Sequence, residues 1–301
     1  MNALMNVFDM FWNKFVKADD DKRIATLSLP EGITEINDIQ YTESDSVYHR
    51  FDVYYPENTT EKLPVIIEIH GGGWMYGTKD LNKIYSEYLA KRGFVVFNIS
   101  YRLVPEVTVT EQLQDIARAI KKAKEMFPSL PCDTDKIILT GDSAGGQLAS
   151  FTAALSESKT LREHFDTVDH TLHFSCVVLT SPVAYMNDSL PMGLYCRMMW
   201  GEKGLKRSMK KYLNIDELLR ETPYFPPTLL ITSSGDTLAH DQTRRLYKDM
   251  LSRSIDATLL DFPKFEGRNL PHVFACLLPY SKEGALCIDK FCEFTKKYTE
   301  N

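Results

Sequence analysis

Thr140-Gly141-Asp142-Ser143-Ala144-Gly145-Gly146 follows directly on the apolar run Ile137-Ile138-Leu139. A Gly-x-Ser-x-Gly between a strand and a helix forces a sharp turn that pushes the serine hydroxyl into the open. The flanking glycines let the backbone turn there without a Cβ clash. Upstream, His70-Gly71-Gly72-Gly73-Trp74 follows Val65-Ile66-Ile67-Glu68-Ile69 in the same manner. A glycine run presents backbone N–H groups with no side chains in the way, and a developing oxyanion needs such donors. The two segments complement each other, one offering a nucleophile and the other its electrostatic support.

Outward from these segments the chain alternates strand and helix signals. Apolar, β-branched runs predict strands at residues 38–43, 50–55, 64–69, 94–100, 136–140, 174–180, 228–233 and 258–262. Helical spacing fills about 80–92, 108–126, 145–157, 239–253 and 280–298. Such alternation predicts an α/β fold, with a largely parallel central sheet covered by helices on both faces. At 301 residues the chain fits one domain of this class. No internal repeat is visible.

Two intervals break the rhythm. Leu4, Val7, Phe8, Phe11, Trp12, Phe15 and Val16 recur at helical spacing, which predicts an amphipathic helix over about 3–18. It reads as a helix packed on the body, a membrane-surface anchor or a dimer contact. Asp9 beside Lys14 and Lys17 gives its polar face little attraction to anionic lipid. Residues 184–225 insert about 40 residues between two strands, which suggests a cap element. Met186, Met192, Tyr195, Met198, Met199 and Trp200 in the insertion either line an acyl pocket or form the cap's own core. Trp74, Met199 and Trp200 are the pocket candidates.

His70-Gly71-Gly72-Gly73-Trp74, Tyr101-Arg102-Leu103-Val104-Pro105-Glu106 and Gly141-Asp142-Ser143-Ala144-Gly145-Gly146 resemble the three signature blocks of hormone-sensitive-lipase-like esterases, a branch of the α/β-hydrolases. The likeness runs from about Ile39 to near the C-terminus and is weak over the N-terminal segment and residues 184–225. Val104 stands where that family usually has alanine, and Val273 where glycine is usual. The resemblance implies an α/β-hydrolase fold with a helical cap, and N-terminal helices in that family often join the cap, so the expected cap comprises residues 1–37 and 184–225.

A serine hydroxyl is a poor nucleophile at neutral pH unless a base takes its proton and a third group orients the base. In α/β-hydrolases the chain order is serine, acid, histidine. Beyond Ser143, only His272 lies in a loop after the last predicted strand, so it is the expected base. His164, His170 and His173 fall in a polar connection, His240 at a helix start and His49 in a turn. His70 opens the glycine loop and is expected to orient it through hydrogen bonds. Asp236, in Ser233-Ser234-Gly235-Asp236, directly follows a strand and is the expected acid, buried and ionised. Its rival Asp241 falls within the next helix. The expected oxyanion donors are the amides of Gly71, Gly72 and Ala144. Asp142 and Glu106 are expected to make structural hydrogen bonds, Glu106 with Arg102.

The balance of 35 basic and 41 acidic residues leaves a net charge of −6, which argues against nucleic acid as a partner. The basic cluster at residues 203–211 reads as a solvated helix face. Six scattered cysteines without a Cys-x-x-Cys read as reduced, mostly buried thiols in a cytoplasmic protein. No signal-peptide layout or membrane-length apolar run is present, so stable membrane insertion is not expected. No metal-ligand spacing, phosphate loop or dinucleotide fingerprint points to a metal or cofactor.

The expected activity is that of a serine carboxylesterase on small, uncharged esters of short to medium acyl chain, working through an acyl-enzyme. The same residues would serve a deacetylase of acetylated carbohydrates or an amidase, since such a triad does not select the leaving group. A catalytically silent ligand-binding member of the fold is the remaining alternative, disfavoured because His272 is present.

Overall fold

The computed structural model describes residues 10–25, 27–168, 171–186, 192–201 and 209–300. Residues 3–9 of the predicted N-terminal helix, His170 and most of the basic cluster lie outside these. Eight strands form one sheet: β1 (Ile33–Gln40), β2 (Arg50–Pro56), β3 (Leu63–Ile69), β4 (Val95–Ile99), β5 (Cys132–Asp142), β6 (Cys176–Thr180), β7 (Thr228–Ser233) and β8 (Ala257–Phe262). Their spatial order is β1-β2-β4-β3-β5-β6-β7-β8. Only β2 runs against its neighbours, so the sheet from β4 to β8 is parallel.

The helices are α1 (Lys17–Ala25), α2 (Lys83–Ala90), α3 (Val109–Met126), α4 (Ser143–Glu157), α5 (Lys159–Phe165), α6 (Met192–Trp200), α7 (Ile215–Glu221), α8 (His240–Ser252), α9 (Phe274–Leu277) and α10 (Lys282–Thr299). A π-helical turn, Phe11–Val16, leads into α1. Helix α3 opens with a capping box in which Thr108 and Glu111 exchange side-chain and backbone hydrogen bonds. This satisfies amides that would otherwise lack partners at a helix start.

Alternation along the central strands creates two cores. Val65, Ile67, Ile69, Phe97 and Leu139 face one side and join the apolar faces of α3 and α4. Ile66, Val96, Ile138 and Val178 face the other, against α2 and α10. Side chains of β3 that point to opposite faces are both buried, which explains a continuous apolar run rather than an alternating one. Glu68 is the exception in that run: it sits on the second face and is 1% exposed.

The first strand begins earlier than its apolar pattern suggests. Residues 33–37 belong to the sheet and not to a cap, and β1 carries a register shift between Ile36 and Ile39. Asp38 takes a left-handed backbone there (φ 58°) and donates its N–H to Asp52 Oδ1 at 2.7 Å. A bulge of this kind hides period-2 alternation from sequence inspection. The N-terminal helical segment also runs further than predicted, through Ala25. Among the described residues no helix is long and apolar enough to cross a membrane.

Candidate active site

β3 and β5 lie side by side with Ile69 paired to Gly141, so the glycine loop and the serine turn emerge at one height on the carboxyl edge of the sheet. Ser143 adopts φ 51° as the chain turns from β5 into α4. The turn needs glycine behind it. A Cβ on Gly145 would lie 2.1 Å from the Ile69 carbonyl oxygen and 2.4 Å from that of His70. Gly145→Ala should therefore push the two loops apart and lower stability by roughly 3 kcal/mol, an overpacking cost at the upper end of the usual range. Urea denaturation measures this; an unchanged midpoint would show that the contact is not tight.

Two further strand ends complete the arrangement. Asp236 follows β7 and His272 lies in the loop after β8. His272 Nε2 is 2.9 Å from Ser143 Oγ, and its Nδ1 is 3.0 Å from each carboxylate oxygen of Asp236. The network assigns the ring proton to Nδ1, which leaves the Nε2 lone pair facing the hydroxyl. Asp236 Oδ1 also accepts the amides of Leu238 at 3.0 Å and Ala239 at 2.9 Å. Burial acts to raise its pKa, but the His272, Ala239 and Ser181 hydrogen bonds outweigh that and hold the carboxyl below its ordinary value. An ionised Asp236 can stabilise a proton arriving on His272.

Ser181, not singled out from sequence, and Val273 support this line. Ser181, left-handed at φ 49°, accepts the Val273 amide at 3.4 Å besides bonding Asp236. Val273 itself is left-handed at φ 50°, a costly conformation for a β-branched residue that fixes the backbone beside His272. A serine at positive φ leaves no mark in a sequence, whereas the glycine usual at position 273 in the resembled family adopts such a backbone freely.

The other described histidines stand apart from this line. His240 Nε2 contacts Asp261 at 3.0 Å, His164 packs on Phe165 and Tyr212, and His173 lies near Glu157. His49 is buried beside Asp115. Asp241 is fully exposed, with its carboxylate 3.7 Å from His240 Nδ1. His70 is buried, donates Nδ1–H to the Gly71 carbonyl at 2.8 Å and stacks on Tyr101 with centroids 4.4 Å apart. Burial pushes its pKa down to about 4, with the Gly71 carbonyl opposing, so it is neutral.

The glycine loop differs from expectation at one amide. Gly71 N–H is given to Asp142 Oδ1 at 2.9 Å, which leaves it unavailable as the oxyanion donor it is expected to be. The strand register, with Ile69 beside Gly141, brings Asp142 level with the start of this loop. Gly72 (φ 100°) and Gly73 (φ 57°) line the cavity wall, and the Ala144 amide lies in the first turn of α4, where helix amides lack intrahelical acceptors. Glu106 is exposed and does not hold Arg102. Arg102 pairs instead with the buried Asp115 of α3, at 2.7 Å and 2.8 Å through two nitrogens.

Ser143 and His272 open onto a cavity of about 630 Å³. Its walls include Trp12, Trp74, Tyr76, Val183, Met186 and Leu238. Of the three pocket candidates, Trp74 lies on it, whereas Met199 and Trp200 are core residues. Trp200 packs against Phe151 and Phe165 with centroids 5.9 and 6.4 Å apart, because the inner face of α6 is needed to cover α4 and α5. The N-terminal segment closes one side. Trp12 stacks on Tyr76 at 5.6 Å and 16°, and Arg23 donates to the Leu277 carbonyl at 3.4 Å while pairing with Asp20. Among the described residues no group of three His, Cys, Asp or Glu side chains is placed to hold a metal.

The BD-FAE family model matches residues 51–249. Esterase B from Lactobacillus rhamnosis superposes on the chain with a TM-score of 0.92 at 28% identity, covering 99% of this chain and 96% of that one. The same esterase inhibited by a C4-C4 tributyrin phosphonate superposes with a TM-score of 0.91 at 29% identity, covering 99% and 96%. A probable isoprenylcysteine α-carbonyl methylesterase of Arabidopsis thaliana is 31% identical over 108 residues, 36% of this chain and 23% of that protein. A non-reducing polyketide synthase of Emericella nidulans is 34% identical over 133 residues, 41% of this chain and 5% of that protein. The chain thus spans a small part of the length of these curated relatives.

Proposed function

This chain belongs to the BD-FAE family and has the α/β-hydrolase fold of its esterase relatives, and on that premise we propose that it is a serine carboxylic ester hydrolase. The observation that carries the proposal is the unbroken line from Ser143 Oγ through His272 to Asp236, with contacts of 2.9 and 3.0 Å. In this reading Ser143 attacks the ester carbonyl as His272 Nε2 takes its proton. Asp236 stabilises the resulting imidazolium. The tetrahedral oxyanion rests on the amides of Gly72 and Ala144, each such donor contributing about two to three orders of magnitude in rate. His272 then protonates the departing alcohol, and water, deprotonated by the same nitrogen, releases the acyl group.

Apolar walls around the serine favour uncharged acyl groups. The inhibition of esterase B by a C4-C4 phosphonate supports short chains for its relative here. The reduced thiols of Cys132, Cys176, Cys276, Cys287 and Cys292 fit a cytoplasmic setting, which is part of the same proposal. Two measurements test it. Turnover of p-nitrophenyl esters from acetate to palmitate should peak between acetate and hexanoate. An alkyl p-nitrophenyl phosphonate should abolish that turnover, releasing p-nitrophenol and leaving its phosphonyl group on the peptide containing Ser143. Label on another residue, or a palmitate optimum, would overturn the assignment.

A further inference from the structure

Beneath the glycine loop lie two buried carboxyl groups that the proposed mechanism does not use. Glu68 of β3 is 1% exposed and Asp142 of β5 is 5% exposed. One amide joins them: Asn82 Nδ2 donates to Glu68 Oε1 at 3.0 Å and to Asp142 Oδ1 at 2.7 Å. Asp142 Oδ1 is also the acceptor for Gly71 N–H, while Glu68 Oε2 contacts the Ser86 hydroxyl. The groups facing Glu68 are Asn82, Ser86 and Tyr85 beside or within α2, Asp142 from β5 and Cys276 from α9. None of these is a lysine or arginine. Facing Asp142 are Asn82, Gly71, Cys276 and His272.

Two carboxylates sharing one donor, out of water and with no lysine or arginine beside Glu68, cannot both be charged without large cost. Asp142 has two strong donors, one of them a backbone amide of the loop. Glu68 has the Asn82 amide and a hydroxyl that can equally accept. The proton therefore belongs on Glu68 Oε2, donated to Ser86 Oγ, and the charge on Asp142.

We propose that Glu68 is a positioning residue for the oxyanion loop: its protonated carboxyl leaves Asn82 to Asp142, whose carboxylate holds Gly71 and so aims the amides that follow. Loss of the Glu68 proton sets a second negative charge against Asp142 and draws the Asn82 amide away from it. The grip on Gly71 weakens, and kcat falls while KM holds, because the loop acts on the transition state. Burial pushes Glu68 up to about 8, opposed by Ser86 and Asn82 and reinforced by Asp142, so the loss falls on the alkaline side. Tyr85 and Cys276 are both pushed upward by burial and stay neutral over this range.

This inference rests on the serine hydrolase assignment, and its test separates the two. Glu68→Gln keeps a donor for Ser86 and an acceptor for Asn82 but cannot ionise. At about 1.5 pH units above the midpoint, wild-type kcat should fall by about fivefold or more while that of Glu68→Gln holds within about twofold. Superimposable profiles, or an equal loss in the variant at every pH, would overturn the proposal. Infrared difference spectra of the wild-type protein between about pH 6 and about pH 10 provide a readout independent of turnover and of the variant's folding. A protonated-carboxyl band that disappears with a midpoint near 8 is expected. Absence of such a band at neutral pH would refute the protonated Glu68 even if no ester were hydrolysed.

Discussion

Replacing Ser143 by alanine should lower kcat for a short-chain p-nitrophenyl ester by about 10⁴-fold or more, with little change in thermal stability. The substitution removes one oxygen atom from a residue that is already left-handed, so the strain of the turn is the same before and after. What remains is the apolar cavity and the amide donors, which alone sustain only a small part of such catalysis. Steady-state kinetics on purified variant, corrected for spontaneous hydrolysis, decides the matter. Retention of a tenth of the wild-type rate would exclude Ser143 as the nucleophile and would point to a different use of the cavity.

The second large effect is expected for Asp236→Asn, a loss of about 10⁴-fold in kcat. An asparagine oxygen can still accept the amides of Leu238 and Ala239, so the loop geometry survives. Its NH₂ group, however, cannot accept from His272 Nδ1, and the opposite tautomer places a proton where the Ser143 hydroxyl must be received. The imidazolium also loses its counter-charge. The same residue contributes to stability with a defined sign. Its folded carboxyl lies below the ordinary value, so the contribution is present above the unfolded-state pKa and is lost as pH falls through the folded value. Wild type and Asp236→Asn should thus differ in unfolding free energy at neutral pH and converge in acid. A gap that persists in acid would assign the difference to packing rather than to charge.

The positions of Ser143, Asp236 and His272 were legible because each follows its own strand within a few residues, and local turn chemistry is written locally. Gly71 was misassigned because its partner depends on the lateral register of β3 against β5, which pairs residues more than seventy positions apart. Arg102 finds Asp115 rather than Glu106 for a related reason: α3 brings a buried carboxylate back over the strand end, while Glu106 points to solvent. Met199 and Trp200 show the limit of composition, since a methionine and a tryptophan fill a core as readily as they line a cavity. Glu68 did carry a signal. A single charge inside an otherwise apolar buried strand requires a hydrogen-bonded or protonated environment, and the run from Val65 to Ile69 contains just one.

The order in which the chain supplies its parts has a temporal consequence. The glycine loop and the serine turn come from neighbouring central strands, whereas His272 reaches Ser143 from 129 residues further along. Contacts of such sequence separation form late, because closing the intervening chain is entropically expensive before its packing rewards it. A nascent chain therefore exposes the Ser143 turn long before His272 exists to pair with it. Regain of the proposed ester turnover after dilution from denaturant accordingly reports on the last strands joining the sheet, and not on the collapse of its centre.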